Sequence, residues 1–513
     1  MSSQVYGATL LGVDGLKVTV EVDFLRRLPS VAIVGLPSLS VRESADRVRS
    51  AMLASGFDFP RQRVVVSLAP ADLRKDGTGF DLPIAAGILL AAGRLDPERC
   101  ARYLLVGELT LGGELRPVRG SLAFAALARA EGLTGLVLPP GAAEEAALVS
   151  GVDVRVARTL GEAAEFLGGT RELPVAQPAV PGARGGGLDL RDVRGQIGAR
   201  EALEVAAAGG HNLLLEGPPG CGKTMLAARI PSILPTLTPE EALACTRIHS
   251  AAGLLGGGGL VSERPFRAPH HSISPAGLVG GALLRPGEAS LAHNGVLFLD
   301  EFPEFPRHAR EVLRGPLEDR CIVLARAGGT ITFPASFMLV AAANPCPCGN
   351  LGHPTRPCLC GEAARQRYRA RLSGPLLDRI DLRVELSPVS PAVLLDARPA
   401  EDSATVRARV ERARNRQLER YGGAVASNAA LSAEQVTEAA NPTARALAAL
   451  QQHMEVSGLS ARVGRRLLKV ARTLADLDAI ELSAGSRVDR VHEDHIHRAV
   501  GLRLEDADLP EAG

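Results

Sequence analysis

The sequence predicts a multidomain α/β protein, and three observations carry that expectation. Near the start, Leu16, Val18, Val20 and Val22 alternate with Lys17, Thr19, Glu21 and Asp23, the pattern of a strand with one buried face. Midway, Leu213-Leu-Leu-Glu216 runs into Gly217-Pro-Pro-Gly-Cys-Gly-Lys-Thr224, an apolar strand that ends in a phosphate-binding loop. Towards the end, Val463, Leu467, Val470 and Leu474 recur at helical spacing. At 513 residues the chain is too long for one core. The expected division is an α/β domain over 1–170, a linker over 171–187, a second α/β domain over 188–390 and a helical domain over 391–513.

In the first domain, further strands are expected at Val31–Val34, Val64–Leu68, Tyr103–Val106 and Leu136–Leu138. Helices fall between them at Val41–Ala54, Leu82–Ala92 and Leu122–Glu131, with the domain ending near Gly168. Arg171–Gly187 carries three prolines and a Gly-Gly-Gly run with little apolar content, which reads as a linker. In the second domain, strands and helices alternate as in a parallel sheet, whose phosphate sites lie at the strand ends. In the third, Ser432-Ala-Glu-Gln435 has capping-box spacing, Asn441-Pro442 reads as a helix start, and a helix covers Ala461–Leu477 with a solvated basic face. There is no internal repeat, and Gly256–Gly259 is a glycine run within a loop.

Composition sets limits on partners. A content of 46% hydrophobic and 22% charged residues describes a soluble globular chain. Net charge is +1, so any surface for a polyanion must be local. Aromatics are 3% with no Trp, which argues against a platform that stacks bases and leaves backbone contact as the route to nucleic acid. No cationic segment followed by an apolar run opens the chain, and Leu82–Gly93 is too short to span a bilayer. The expectation is a cytoplasmic protein with no membrane partner, in which the eight cysteines stay reduced.

The phosphate loop supplies the first chemistry. Gly217, Pro218, Pro219, Gly220, Cys221 and Gly222 form a turn whose backbone N–H groups can face phosphate oxygens. Lys223 is placed to reach the β and γ phosphates of ATP, and the Thr224 hydroxyl to hold Mg²⁺. Downstream, Gly295-Val-Leu-Phe-Leu-Asp-Glu301 is a buried strand ending in two carboxylates: Asp300 for the Mg²⁺ shell, Glu301 to polarise the attacking water. A third strand, Phe337–Ala343, delivers Asn344 to the same edge, where an amide can sense the γ-phosphate. Arg379, in Ser-Gly-Pro-Leu-Leu-Asp-Arg-Ile-Asp, is the candidate arginine finger.

The order of these motifs resembles the AAA+ ATPases, and among them the magnesium-chelatase-like branch. The resemblance implies that Arg379 acts on ATP held by a neighbouring subunit, that Arg462 in Gly-Leu-Ser-Ala-Arg is the second sensor of a helical lid, and that Gly195-Gln196 lies on the adenine side. A closer resemblance is to the ComM/YifB family. It rests on Arg264-Pro-Phe-Arg-Ala-Pro-His-His-Ser-Ile-Ser274, Pro286-Gly-Glu288, Ala292-His-Asn-Gly295, Asn344-Pro-Cys-Pro-Cys-Gly349 and Ser373–Asp381, and runs nearly end to end. It implies a hexameric ATP-driven motor that branch-migrates DNA in natural transformation. It also implies a pore-facing insertion between about His249 and Asn294 and a hairpin at Cys321–Phe333. Arg267, His270, His271 and Arg326 are then the candidate contacts to branched or single-stranded DNA, without reading of sequence. For His270-His271 a structural turn is the alternative, while a metal role is disfavoured because adjacent histidines are expected to point apart.

The first domain resembles the Lon-protease-like fold (ribosomal S5 domain 2-like) through Lys75-Asp76-Gly77 and Gly107-Glu-Leu-Thr-Leu-Gly-Gly-Glu-Leu-Arg-Pro117. Gly79 and Phe80 stand where the dyad serine is expected, and Leu122 where the lysine is, so peptide hydrolysis is not expected. Cys346-Pro-Cys348 and Cys358-Leu-Cys360 bracket a loop of nine residues and form a candidate structural Zn²⁺ site; four reduced thiols in a surface turn are the alternative. Two other functions compete with a DNA motor: a chelatase-like ATPase that remodels a protein or inserts a metal, and an ATP-gated scaffold.

Overall fold

The computed structural model describes residues 3–178, 187–255, 259–281, 285–326, 329–353, 355–372, 374–394, 400–423, 425–479 and 490–503. Its strands, in chain order, are β1 (Ser3–Leu11), β2 (Asp14–Leu25), β3 (Ser30–Val34), β4 (Arg63–Ala69), β5 (Tyr103–Leu105), β6 (Glu108–Leu109), β7 (Leu115–Arg116), β8 (Gly135–Leu138) and β9 (Asp153–Val156). There follow β10 (Leu213–Glu216), β11 (Phe266–Arg267), β12 (Val296–Leu299), β13 (Cys321–Arg326), β14 (Gly329–Pro334), β15 (Met338–Ala343) and β16 (Leu382–Glu385). The chain is a mixed α/β protein with parallel pairing in two separate sheets.

The first sheet has seven strands in the order β3-β4-β2-β1-β5-β8-β9. Strands β1, β2 and β4 pair antiparallel, and the outer strands on both sides pair parallel. The alternation read from β2 holds over Val18, Val20 and Val22, which are buried while the residues between them are not, but Leu16 is only half-buried. Helix Asp81–Ala91 is buried nearly all round, because it lies over β1 and β2 with Gly87 against the Val22 side chain. Leu173–Ala176, inside the stretch expected as linker, runs back along β9 through bonds between Val156 and Pro174 and between Ala176 and Val154.

The second sheet is wholly parallel, in the order β11-β12-β15-β10-β16. Every residue of β10, β12 and β15 is buried, as befits central strands covered on both faces. Their carboxyl ends therefore leave the core side by side. Helix Ile197–Gly209 precedes β10, and Gly210 in the left-handed region ends it and turns the chain into the strand. The hairpin β13–β14 forms where the sequence places it, pairing Cys321 with Pro334 and Ala325 with Thr330. It packs against the turn between β1 and β2, where Gly12 leaves room for the Ile331 side chain.

Two expectations for the last segment are corrected. Ser432 and Gln435 do exchange capping bonds, but Asn441 ends a helix in the left-handed region instead of starting one. The next helix, Ala444–Val456, is capped by Thr443, whose hydroxyl accepts the Ala446 N–H. Helix Ala461–Asp478 buries Val463, Leu467, Val470 and Leu474 as expected, yet its basic face is not simply solvated. Arg472 is buried against Asp476, and Arg466 bonds Asp381 at the amino end of β16.

Candidate functional site

Strand β10 ends at Glu216, and the chain turns through Gly217–Gly222 into helix Lys223–Ala227. Gly220 and Gly222 both have positive φ, at 81° and 98°, a conformation that side chains rarely adopt and glycine does. A Cβ on Gly217 would stand 2.4 Å from the Leu386 carbonyl, so the start of the loop also requires glycine. The Lys223 ammonium turns back into the loop, donating to Gly217 O at 2.6 Å, Pro218 O at 3.0 Å and Asn344 Oδ1 at 3.0 Å. Burial pulls it below the ordinary lysine value, while Cys221 and Asp300 act the other way. A buried ammonium held by carbonyl and amide oxygens and, at 3.9 Å, by the Cys221 sulfur faces no carboxylate at hydrogen-bond distance among the described residues, and a phosphate would satisfy it, so these residues fit a nucleotide.

The metal side fits as well. Thr224 Oγ1 donates to Asp300 Oδ2 at 2.7 Å, and the other Asp300 oxygen accepts the Glu301 N–H at 2.9 Å. A hydroxyl and a carboxylate beside the loop lysine suit Mg²⁺, which takes few protein ligands and keeps the rest as water and phosphate. Glu301 has φ 51°, which swings its carboxylate clear of the strand into solvent. Lys223, Thr224, Asp300, Glu301 and Asn344 are thus brought together, because β10, β12 and β15 deliver them from one sheet edge. Gln196 joins them, its amide donating to Cys221 O at 3.1 Å and Ser387 O at 2.8 Å. Gly195 precedes it with φ 66° and packs on Val389 and Val393.

The two arginines lie elsewhere. Arg379 precedes β16 at its amino end, and the four-residue strand separates it from the Gly217 edge by about 13 Å. Arg379 is 5% exposed, with Nη2 2.5 Å from Glu318 Oε1. Arg462 Nη2 reaches the same carboxylate oxygen at 3.9 Å. Glu318 therefore gathers both arginines on a face remote from this chain's own loop, a residue that no motif in the sequence singles out.

Of the four nucleic-acid candidates, Arg267 is half-buried and gives both its Nε and Nη2 to Glu288, at 2.6 and 2.8 Å. The Arg326 side chain lies outside the described residues. The rings of His270 and His271 do not point apart: they lie side by side with centroids 4.1 Å apart and planes tilted by 34°. His271 Nδ1 lies 3.2 Å from Glu301 Oε2, so the histidine segment after β11 touches the acidic end of β12, its neighbour in the sheet.

The cysteines converge. Cys346 Sγ is 3.4 Å from Cys348 Sγ and 3.6 Å from Cys358 Sγ, Cys348 and Cys358 are 3.7 Å apart, and with Cys360 all four sulfurs lie within 4.8 Å. A tetrahedral Zn–S bond of about 2.3 Å puts sulfurs about 3.8 Å apart, so the spacing fits a four-thiolate metal site and is far from a disulfide. Leu351 donates its N–H to Cys346 Sγ at 3.4 Å. Cys100, Cys221 and Cys245 are free and buried.

Fold and site together define a phosphate-loop protein with a parallel five-stranded sheet. Family models agree in kind: magnesium chelatase subunit ChlI matches residues 189–394, a second ChlI model matches 20–142, and the ChlI carboxyl-terminal model matches 400–503. Among individual relatives, YifB of Escherichia coli K12 is 42% identical over 507 residues, covering 98% of this chain and 97% of that protein. Competence protein ComM of Haemophilus influenzae is 42% identical over 508 residues, 97% of each. An uncharacterized protein of Mycobacterium tuberculosis H37Rv is 44% identical over 478 residues, 92% of this chain and 94% of that one. The chain belongs to the ComM/YifB family of magnesium-chelatase-like proteins. Among the described residues no helix is long and apolar enough to cross a membrane.

Proposed function

We propose that this protein is an ATP-hydrolysing AAA+ motor that assembles into a ring, hexameric by the family resemblance, and drives branch migration of DNA during uptake and recombination. The observation that carries the ATPase reading is the cluster of Lys223, Thr224, Asp300, Glu301 and Asn344 at one edge of a parallel sheet. The loop N–H groups and Lys223 hold the phosphates, and Thr224 and Asp300 hold the Mg²⁺, which supplies charge neutralisation at the phosphates. Glu301 takes the proton of the attacking water, and Asn344 orients the γ-phosphate through Lys223. Arg379 and Arg462, too far from this loop to serve it, serve the loop of the neighbouring subunit. The first sheet is the Lon-like domain, acting as a scaffold or DNA-contacting collar, and the last helices are the lid.

DNA as the substrate draws its support from the competence relative and from the histidine segment touching Glu301, which gives a polymer bound there a route to the hydrolytic carboxylate. The test is binding to four-way and forked DNA as a function of salt, with ATP turnover measured alongside. Affinity should fall by roughly 10³-fold or more between 50 and 200 mM salt if about six phosphates are contacted, and turnover should rise with DNA. Turnover indifferent to every DNA, with no binding at low salt, would refute the motor. A chelatase-like remodelling ATPase is the second reading, favoured by the family models named for that enzyme. The four cysteine thiolates are assigned a structural zinc ion, with no open position for a substrate.

A further inference from the structure

The cysteine loop lies beside the nucleotide loop, and the two are joined at three points. Gly349, the residue after Cys348, has φ 78°, and a Cβ there would stand 2.6 Å from Pro219 Cδ and 2.7 Å from Pro219 Cγ. The Gly349 backbone thus presses directly on the exposed lip of the phosphate loop, closed into its turn by its N–H to Cys346 O at 3.0 Å. Two residues before Cys346, Asn344 accepts from the Lys223 ammonium at 3.0 Å. On the strand itself, Gly217 donates to Ala343 O at 3.2 Å. Cys346 is fully buried, whereas the described residues between the two cysteine pairs form no helix or strand.

A loop of that kind keeps one shape only if something fixes it. We infer that the metal-bound Cys346–Cys360 loop is a brace for the nucleotide site: by fixing Gly349 against Pro219 and Asn344 against Lys223, the bound zinc holds Gly217–Thr224 in its phosphate-ready form. The same four sulfurs on a distant surface loop would stabilise only themselves. Here their removal frees both the lip of the phosphate loop and the amide that positions its lysine. This rests on reading Gly217–Thr224 as the nucleotide site, and it makes nucleotide affinity a property of the zinc state, separate from hydrolysis.

The test uses the full chain purified without chelator. Metal content is measured first, then the affinity for a fluorescent ATP analogue with Mg²⁺, before and after a zinc chelator and again after zinc is restored. If the competent loop population falls to roughly a tenth on stripping, the apparent Kd rises about tenfold, and zinc returns it. Circular dichroism over the cycle reports whether the fold persists. Gly349→Ala provides an arm that keeps every thiolate: it should retain one zinc per chain and still bind the analogue several-fold more weakly. No metal in the purified chain overturns both the zinc site and the brace. Bound zinc whose removal leaves the Kd within twofold overturns the brace and leaves the zinc assignment standing. No analogue binding by the zinc-loaded protein overturns the nucleotide reading, and the brace with it.

Discussion

If Arg379 serves a neighbour's nucleotide, two inactive variants must rescue each other. Arg379→Ala removes the donated guanidinium but leaves Lys223, Thr224, Asp300 and Glu301 in place. Glu301→Gln removes the water-polarising carboxylate but leaves Arg379 on its Glu318 anchor, 2.5 Å away. Each alone should fall far below the parent, by roughly 10³ or more for an arginine finger and 10²–10⁴ for a general base. In a head-to-tail ring each site is built from one chain's loop and the next chain's arginine. In an equal mixture, a working site needs an Arg379→Ala chain as holder and a Glu301→Gln chain as donor, which random assembly supplies at about a quarter of the sites. The arginine lies about 13 Å of strand from its own loop, which favours donation to a neighbour over action on its own site. The assay is steady-state ATP hydrolysis after unfolding-free subunit exchange, with assembly followed by light scattering. Assembly of mixed rings with no activity above the sum of the two variants would refute donation in trans.

Three further outcomes follow from the geometry. Glu301→Gln by itself should bind Mg²⁺-ATP analogue as tightly as the parent while losing hydrolysis, measured by titration and phosphate release; ordinary turnover would remove Glu301 from the mechanism. His271→Ala should raise basal hydrolysis, by up to about fivefold, and blunt stimulation by DNA, because the half-exposed contact with Glu301 is worth about 1 kcal/mol or less; unchanged basal and stimulated rates would sink the link. Asp381→Asn should destabilise the chain by about 3–5 kcal/mol in urea unfolding at neutral pH, since it breaks a buried pair with Arg466. Burial pushes the Asp381 carboxyl up, but Arg466 and His211 more than offset this and hold it well below the usual carboxylate range. A carboxyl depressed in the folded state contributes stability above its unfolded value, near pH 4, and loses it as pH falls. The gap between variant and parent should therefore narrow below about pH 4, and a gap that widens there would contradict the pairing.

Much of the site was legible because its chemistry is local. Gly217–Thr224 declares itself through residues that only such a loop needs, and the runs before Asp300 and Asn344 are short, wholly apolar and end in a polar group. The amino-terminal strand Ser3–Leu11 was not legible: Gly7 and Thr9 break its pattern, and it becomes a strand by pairing with β2 across a tight turn. Asn441 shows the same limit at a helix end, where an asparagine suits a start or a left-handed stop and the Thr443 hydroxyl decides between them. Glu318 was invisible for a different reason. An acidic residue on a charged helix carries no signal until two arginines from distant segments are seen on it.

By itself, then, the sequence determined the phosphate-loop motif, the carboxylates, the cysteine pairs and the family strings, because each is specified by residues close together in the chain. Tertiary structure decided which of them meet. It set Gly349 on Pro219, His271 on Glu301, and Arg379 with Arg462 on a face away from their own loop. Those contacts depend on strand order and on the packing of elements far apart in sequence. No periodicity or spacing encodes them, since a side chain's neighbours across a sheet are fixed only when the whole core closes.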